Sequence, residues 1–227
     1  MEHKKLVSTA RLTGIWYLLL AITGVLGFIV FHPQIFVAGD PQKTLTNLTE
    51  LESTARIRLV LELFIIASQA LAAVWFFKLF VEIKAWAAFA IGGWGLMNAA
   101  AIMVSAIAMA AAIEVAQFAT PAFQEKVISI QLLSTIISSA WIVGSLFFGL
   151  WLIPMGAVVI TSKRMPIWLG RILIIGGIGY VLSTFFSSMG FAHPLLEFLT
   201  IPATIGEFWM IGYLLIFGIR PLDNTEQ

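Results

Sequence analysis

Six long apolar blocks occupy most of this chain, and they constrain its fold more than any motif does. They are Leu12–Phe31, Leu59–Phe80, Ala85–Ile113, Val127–Ile160, Ile167–Gly190 and Phe198–Ile219. A helix needs roughly 20 residues to cross a hydrocarbon core of about 30 Å, and each block is long enough. The blocks are continuously apolar rather than alternating, which favours helices over barrel strands. A helix also satisfies its own backbone polar groups in lipid. The expected fold is therefore all-α, a polytopic membrane helix bundle of six transmembrane helices. It forms one transmembrane domain over residues 1–227.

Composition supports this and removes other classes. The chain is 60% hydrophobic and 11% charged, against about 45–50% and 25% for a soluble domain. That excludes a water-soluble globular enzyme. A net charge of +1 offers no basic surface for nucleic acid. The absence of cysteine excludes disulfides, thiolate metal sites and a thiol nucleophile. No repeat or low-complexity segment occurs, and no cofactor is implied. The implied partners are the lipid bilayer and a candidate small amphipathic ligand or lipid. Oligomeric state is not encoded in any pattern here.

Two blocks exceed what a span requires. At 29 and 34 residues, the third and fourth would be roughly 44 and 51 Å long. They are expected to tilt or to project beyond the bilayer. Pro154 is expected to kink the fourth, because it removes a backbone donor.

Basic residues set the orientation. With the amino terminus inside, Lys4, Lys5, Arg11, Lys78, Lys84, Lys163, Arg164, Arg171 and Arg220 fall on the cytoplasmic side. Lys43, Arg56, Arg58 and Lys126 fall outside. Nine against four predicts that both termini are cytoplasmic. Trp16, Trp75, Trp86, Trp151 and Trp168 lie toward predicted inner ends, as an interfacial belt would. The first block follows two lysines but is longer than a signal-peptide core, so it is expected to be a retained helix.

The longest connection, His32–Arg58, is then extracellular. Asp40-Pro41 reads as a helix start, with an N-cap aspartate and proline at the first position. Leu45, Leu48 and Leu51 recur every three residues, followed by Ala55. Lys43, Asn47, Glu50 and Arg56 fill the other faces. A short amphipathic outer helix is expected, with a solvated connector as the alternative. Asn47-Leu48-Thr49 also matches a glycosylation triplet, which is common by chance.

Ionisable groups inside spans are costly and usually face a bundle interior or cavity. Glu62 and Glu207 are the two carboxylates of this kind. Arg58 precedes Glu62 by four residues, so the two share a helical face and can pair. Gln69 extends that stripe. Asn98 and Ser105 form a stripe on the third helix, and Gln131, Ser134, Ser138 and Ser145 form one on the fourth. Gly176, Gly179, Ser183, Ser187 and Gly190 share a face of the fifth. Stripes of small residues are also what ordinary helix packing uses.

Most of these groups map to the outer half of the spans, which points to a polar cavity open to the outside. The candidate ligand-binding residues are Glu62, Glu207, Gln69, Asn98, Gln131 and Arg58. His32, His193 and Glu62 or Glu197 form an alternative nitrogen–oxygen metal set, without diagnostic spacing. No metal is assigned on that basis, and the catalytic residues are unknown. The balance falls against an enzyme.

Several segments resemble the bacterial integral-membrane family called domain of unknown function 4386. They are Ala10-Arg-Leu-Thr-Gly-Ile-Trp-Tyr17, Glu52-Ser-Thr-Ala-Arg-Ile-Arg-Leu59, Phe147-Phe-Gly149, Pro166-Ile-Trp-Leu-Gly-Arg-Ile-Leu-Ile-Ile-Gly-Gly-Ile-Gly-Tyr180 and Ile201-Pro-Ala-Thr-Ile-Gly-Glu207. The resemblance implies a multi-pass protein of the bacterial cytoplasmic membrane and no activity. It draws attention to Arg11, Glu52, Arg56, Pro166, Gly170, Tyr180, Pro202 and Glu207. Ala55 departs from the pattern, standing where the family has a bulky aromatic.

The expected function is binding of a small apolar or amphipathic ligand or lipid in an outward-facing cavity. The alternatives are an intramembrane metal-assisted hydrolase, with His32, His193, Glu62 and Glu207 as its groups, and a structural subunit of a membrane complex.

Overall fold

Helix forms along most of each apolar block, and in the first four blocks it runs past the block into polar sequence. The computed structural model describes residues 3–120, 122–191, 193 and 195–221. Its elements are α1 (His3–Val25), α2 (His32–Ile35), α3 (Pro41–Glu50), α4 (Glu52–Phe80), α5 (Ala85–Gln117), α6 (Phe123–Ser162), α7 (Ile167–Ser188), α8 (Leu195–Phe198) and α9 (Ile201–Ile216). A π-helical turn at Leu26–Phe31 joins α1 to α2, so the first span continues to Ile35. No strand occurs among the described residues. The chain is an all-α membrane helix bundle.

The polar extensions have local causes. Glu52 and Arg56 pair at 2.7 Å across one turn, which carries α4 back beyond Leu59. Glu125 sits in the first turn of α6, where a carboxylate meets the positive end of the helix dipole. α5 and α6 reach 33 and 40 residues, or about 50 and 60 Å. α6 continues in helical conformation through Pro154.

The last block departs most from expectation. Among the described residues, five helices have the length and apolarity of a membrane span, whereas α9 has 16 residues, about 24 Å. Pro202 favours the first helical turn, where its missing N–H costs nothing, so α9 starts late. Gly218 takes a positive φ of 70° just beyond its end, a conformation that suits glycine and ends a helix.

The chain forms two compact units. The first comprises Met1–Leu18, Ser68–Asn98 and Ile142–Gln227; the second comprises Leu19–Ala67 and Ala99–Trp141.

Close glycine contacts characterise the first unit. A Cβ on Gly149 would lie 2.7 Å from the Gly177 carbonyl oxygen, and the reverse holds at 2.7 Å. Gly156 and Gly170 make a second such contact between α6 and α7. Gly176 meets the Ala203 backbone of α9. Without side chains the backbones approach closely, and dispersion replaces the hydrophobic drive that lipid cannot supply. Tyr17, Phe76 and Trp151, all essentially fully buried, form an aromatic cluster with ring centroids 5.4–5.9 Å apart. Trp151 therefore belongs to the core and not to an interfacial belt. Trp86 and Trp168 are exposed, as the belt requires.

In the second unit, α3 packs Leu45 and Leu48 into a core with Ile35, Met109, Ile113 and Ile130. Asp40 caps α3 by accepting from the Lys43 backbone N–H at 2.8 Å. Ala55 is fully buried in this core, so the small side chain is accommodated. Two details differ from the predicted stripe. Leu51 is exposed, because the helix ends at Glu50. Asn47 is buried and donates from Nδ2 to the Ile35 carbonyl oxygen at 3.2 Å. The amide is occupied in tying α3 to α2, which leaves it unsuited to glycosylation.

Candidate binding site

The densest polar cluster is built around Glu62 in the second unit. Four residues on a helix bring side chains to one face, and α4 places Arg58 beside Glu62 in this way. Both are almost completely buried. Arg58 Nη1 donates to Glu62 Oε2 in a close ion pair. The other carboxylate oxygen, Oε1, accepts from Ser105 Oγ of α5 at 2.6 Å and from Trp141 Nε1 of α6 at 3.1 Å. The same indole N–H lies 3.0 Å from Ser105 Oγ, so it is shared between the two oxygens.

A carboxylate without water is tolerated only when paired and hydrogen-bonded. Glu62 meets this condition with one cation and two neutral donors. Arg58 is less completely served: its Nε and Nη2 have no hydrogen-bond partner among the described residues. Its guanidinium lies 5.2 Å from the Phe28 ring centroid, a cation–π contact. Phe28 in turn packs against Trp141 and stacks on His32, which stacks on Phe36.

A cavity of about 580 Å³ lies in this unit. His32, Pro33, Phe36, Val37, Asp40 and Thr44 line it from the connection, and Gln131, Ser134, Thr135 and Ser138 line it from α6. This volume is typical of small-molecule sites, and the walls combine apolar surface with a few polar groups.

In the first unit, Tyr17 Oη donates to Glu207 Oε1 at 2.7 Å. Tyr17 is fully buried and Glu207 partly so. Gln69 is fully buried, and neither end of its amide has a hydrogen-bond partner among the described residues. Asn98 is also buried. A separate cavity of about 580 Å³ is lined by Ile142, Ser145, Tyr180, Ser183, Ser187, Phe191, His193 and Thr200, among others.

The six candidate residues are thus distributed between the units. Arg58, Glu62 and Gln131 belong to the second, where Arg58 and Glu62 touch and Gln131 lines the cavity. Gln69, Asn98 and Glu207 belong to the first. The small-residue stripes divide by role. On α7, Gly176 and Gly179 contact backbone at Ala203 and Leu199, whereas Ser183 and Ser187 line a cavity.

Among the described residues, no group of three His, Asp or Glu side chains is gathered as a metal would require. His32, His193 and Glu62 therefore form no such set. The Glu197 side chain lies outside the described residues.

Sequence reasoning missed Trp141 and Tyr17 as partners of the carboxylates. Both carried a signal. An indole N–H or a phenol inside an apolar span needs an acceptor, and few acceptors other than backbone are present.

These features define an integral membrane protein of the all-α class, with a neutralised carboxylate buried among its helices. The chain belongs to the family described as domain of unknown function (DUF4386), whose sequence model matches residues 12–218. No curated protein and no solved structure matches it.

Proposed function

We propose that this membrane protein binds a small apolar or amphipathic molecule, such as a lipid, in the cavity lined by His32, Thr44 and Gln131. With the termini cytoplasmic, that cavity opens to the outer side of a bacterial cytoplasmic membrane. The observation that carries the proposal is the character of its walls: Pro33, Phe36 and Val37 present apolar surface, while Asp40, Thr44 and Gln131 offer hydrogen bonds. Arg58 and Glu62 support the site from within the same unit. Their role is to hold α4, α5 and α6 in register, because both Glu62 oxygens already have protein partners. Glu207 accepts from Tyr17 at Oε1 and is the candidate polar anchor of the other unit.

The test is thermal unfolding in detergent with a panel of fatty acids and lysolipids. At least one amphiphile is expected to raise the melting temperature of the wild type. Gln131→Leu is expected to abolish that rise, and Asp40→Asn to reduce it. If no amphiphile stabilises the wild type, or if Gln131→Leu responds equally, binding in this cavity is refuted.

A structural subunit is the second reading, favoured by the internal satisfaction of Glu62. It predicts a stoichiometric membrane partner on gentle purification, and a monomer that binds amphiphile counts against it.

A further inference from the structure

The connections at the predicted cytoplasmic end of the first unit enclose a third cavity, of about 430 Å³. It is lined by Glu82, Ile83, Lys84, Thr161, Ser162 and Arg164. Lys84 Nζ is 3.4 Å from Thr161 Oγ1, and neither Lys84 nor Arg164 forms an ion pair among the described residues. With Glu82 as the one carboxylate, the lining carries an excess of one positive charge.

The loop that bears Arg164 is held in place. The Arg164 backbone N–H donates to Ser162 Oγ at 3.4 Å. Its carbonyl accepts from Tyr213 Oη at 3.3 Å and from the Arg220 N–H at 3.2 Å. Arg164 is therefore presented from a fixed frame, which lowers the cost of ordering it around a ligand.

Three tryptophan–cation pairs belong to the same unit. Lys78 lies over Trp75 at 4.3 Å, Lys84 over Trp86 at 5.3 Å and Arg171 over Trp168 at 4.6 Å. Trp86 and Trp168 are 58% and 61% exposed. Exposed indoles beside cations are characteristic of the headgroup level of a bilayer.

We propose that the Lys84–Arg164 cavity is a binding site for the phosphate group of an anionic phospholipid. The two cations would meet the phosphate charge, and the Thr161 and Ser162 hydroxyls would donate to its oxygens. The neighbouring exposed indoles place such a headgroup where its acyl chains can remain in the bilayer. Basic pockets between membrane helices on the cytoplasmic side are suited to this chemistry. The site is independent of the outer cavity proposed above.

The full chain is titrated with dioleoylphosphatidylglycerol, dioleoylphosphatidylcholine and inorganic phosphate, and binding is read by native mass spectrometry. Phosphatidylglycerol is expected to bind the wild type more tightly than phosphatidylcholine. A cation near the membrane surface is worth about 1 kcal/mol, so removing one weakens binding about fivefold and removing two about thirtyfold. Lys84→Gln with Arg164→Gln should show the larger loss, and the single change Arg164→Gln carries the test if the double variant does not fold. Lys84→Arg with Arg164→Lys should keep the preference. Lys78→Gln with Arg171→Gln removes equal charge outside the cavity and should also keep it. The proposal is overturned if the wild type shows no preference, if the cavity variants retain it, or if the outside variants lose it equally. Full occupancy by inorganic phosphate, with displacement of the lipid, would assign the site to a free anion and overturn the lipid assignment.

Discussion

A double-mutant cycle on Arg58 and Glu62 tests whether the cluster is as dry as its geometry implies. Arg58→Met strips Glu62 of its counter-charge and leaves it only the Ser105 and Trp141 donors at 2.6 and 3.1 Å. Glu62→Gln keeps an acceptor for both donors but leaves the Arg58 cation buried without a counter-charge. Breaking a buried pair from one side costs about 3–5 kcal/mol. Each single variant is expected to lose that amount in equilibrium unfolding in mixed micelles. The double variant has no charge to strand, and replacing such a pair by neutral groups is often near neutral. Its expected loss is about 1–3 kcal/mol, set by the remaining amide and hydroxyl bonds. The coupling energy should therefore be about 3 kcal/mol or more, far outside the ~0.5 kcal/mol scatter of independent sites. Single losses below about 1 kcal/mol, the value of an exposed pair, would refute the reasoning. So would a double variant whose loss equals the sum of the two.

Four further outcomes can be checked by the same unfolding measurement. Trp141→Phe keeps the ring against Phe28 but removes the N–H shared by Glu62 and Ser105, with an expected loss of about 1–2 kcal/mol. Gly177→Ala brings a methyl to 2.7 Å from the Gly149 carbonyl oxygen and should lose about 1–3 kcal/mol by overpacking. Gly24→Ala, with nothing within 4 Å, should be neutral or gain up to about 1 kcal/mol of helix propensity. Asp40→Ala removes the side-chain acceptor at the start of α3 and should cost about 1 kcal/mol.

The legible part of the fold was the part dictated by local pattern. Helix positions followed from apolar run length, because a membrane span must satisfy its own backbone. The Asp40-Pro41 start was readable for a similar reason: capping depends on neighbours three residues away. The Arg58–Glu62 pair was readable from i,i+4 spacing alone. Failures came where a local preference cut across a hydrophobic run. Leu199 and Thr200 fall inside the last apolar block, yet they form a turn and α9 starts only at Ile201, with Pro202 in its first turn. Asn47 was assigned to a polar face and is instead bonded to Ile35, a partner twelve residues away.

The candidate site was legible only in its residue types. By itself the amino-acid sequence determines an all-α membrane bundle, its span blocks and the small set of polar side chains inside them. Apolar length and charge position suffice for that, because they act through the solvent and not through a specific neighbour. Tertiary structure decides which of those side chains meet. It gives Glu62 to Arg58, Ser105 and Trp141, Glu207 to Tyr17, and Gln131 to a cavity wall. It also divides one glycine–serine stripe into packing contacts and cavity lining. Such pairings depend on how helices rotate against each other, and a glycine contact of a few ångströms sets that rotation. Helical spacing names the face a residue occupies and leaves the opposing face to the packing.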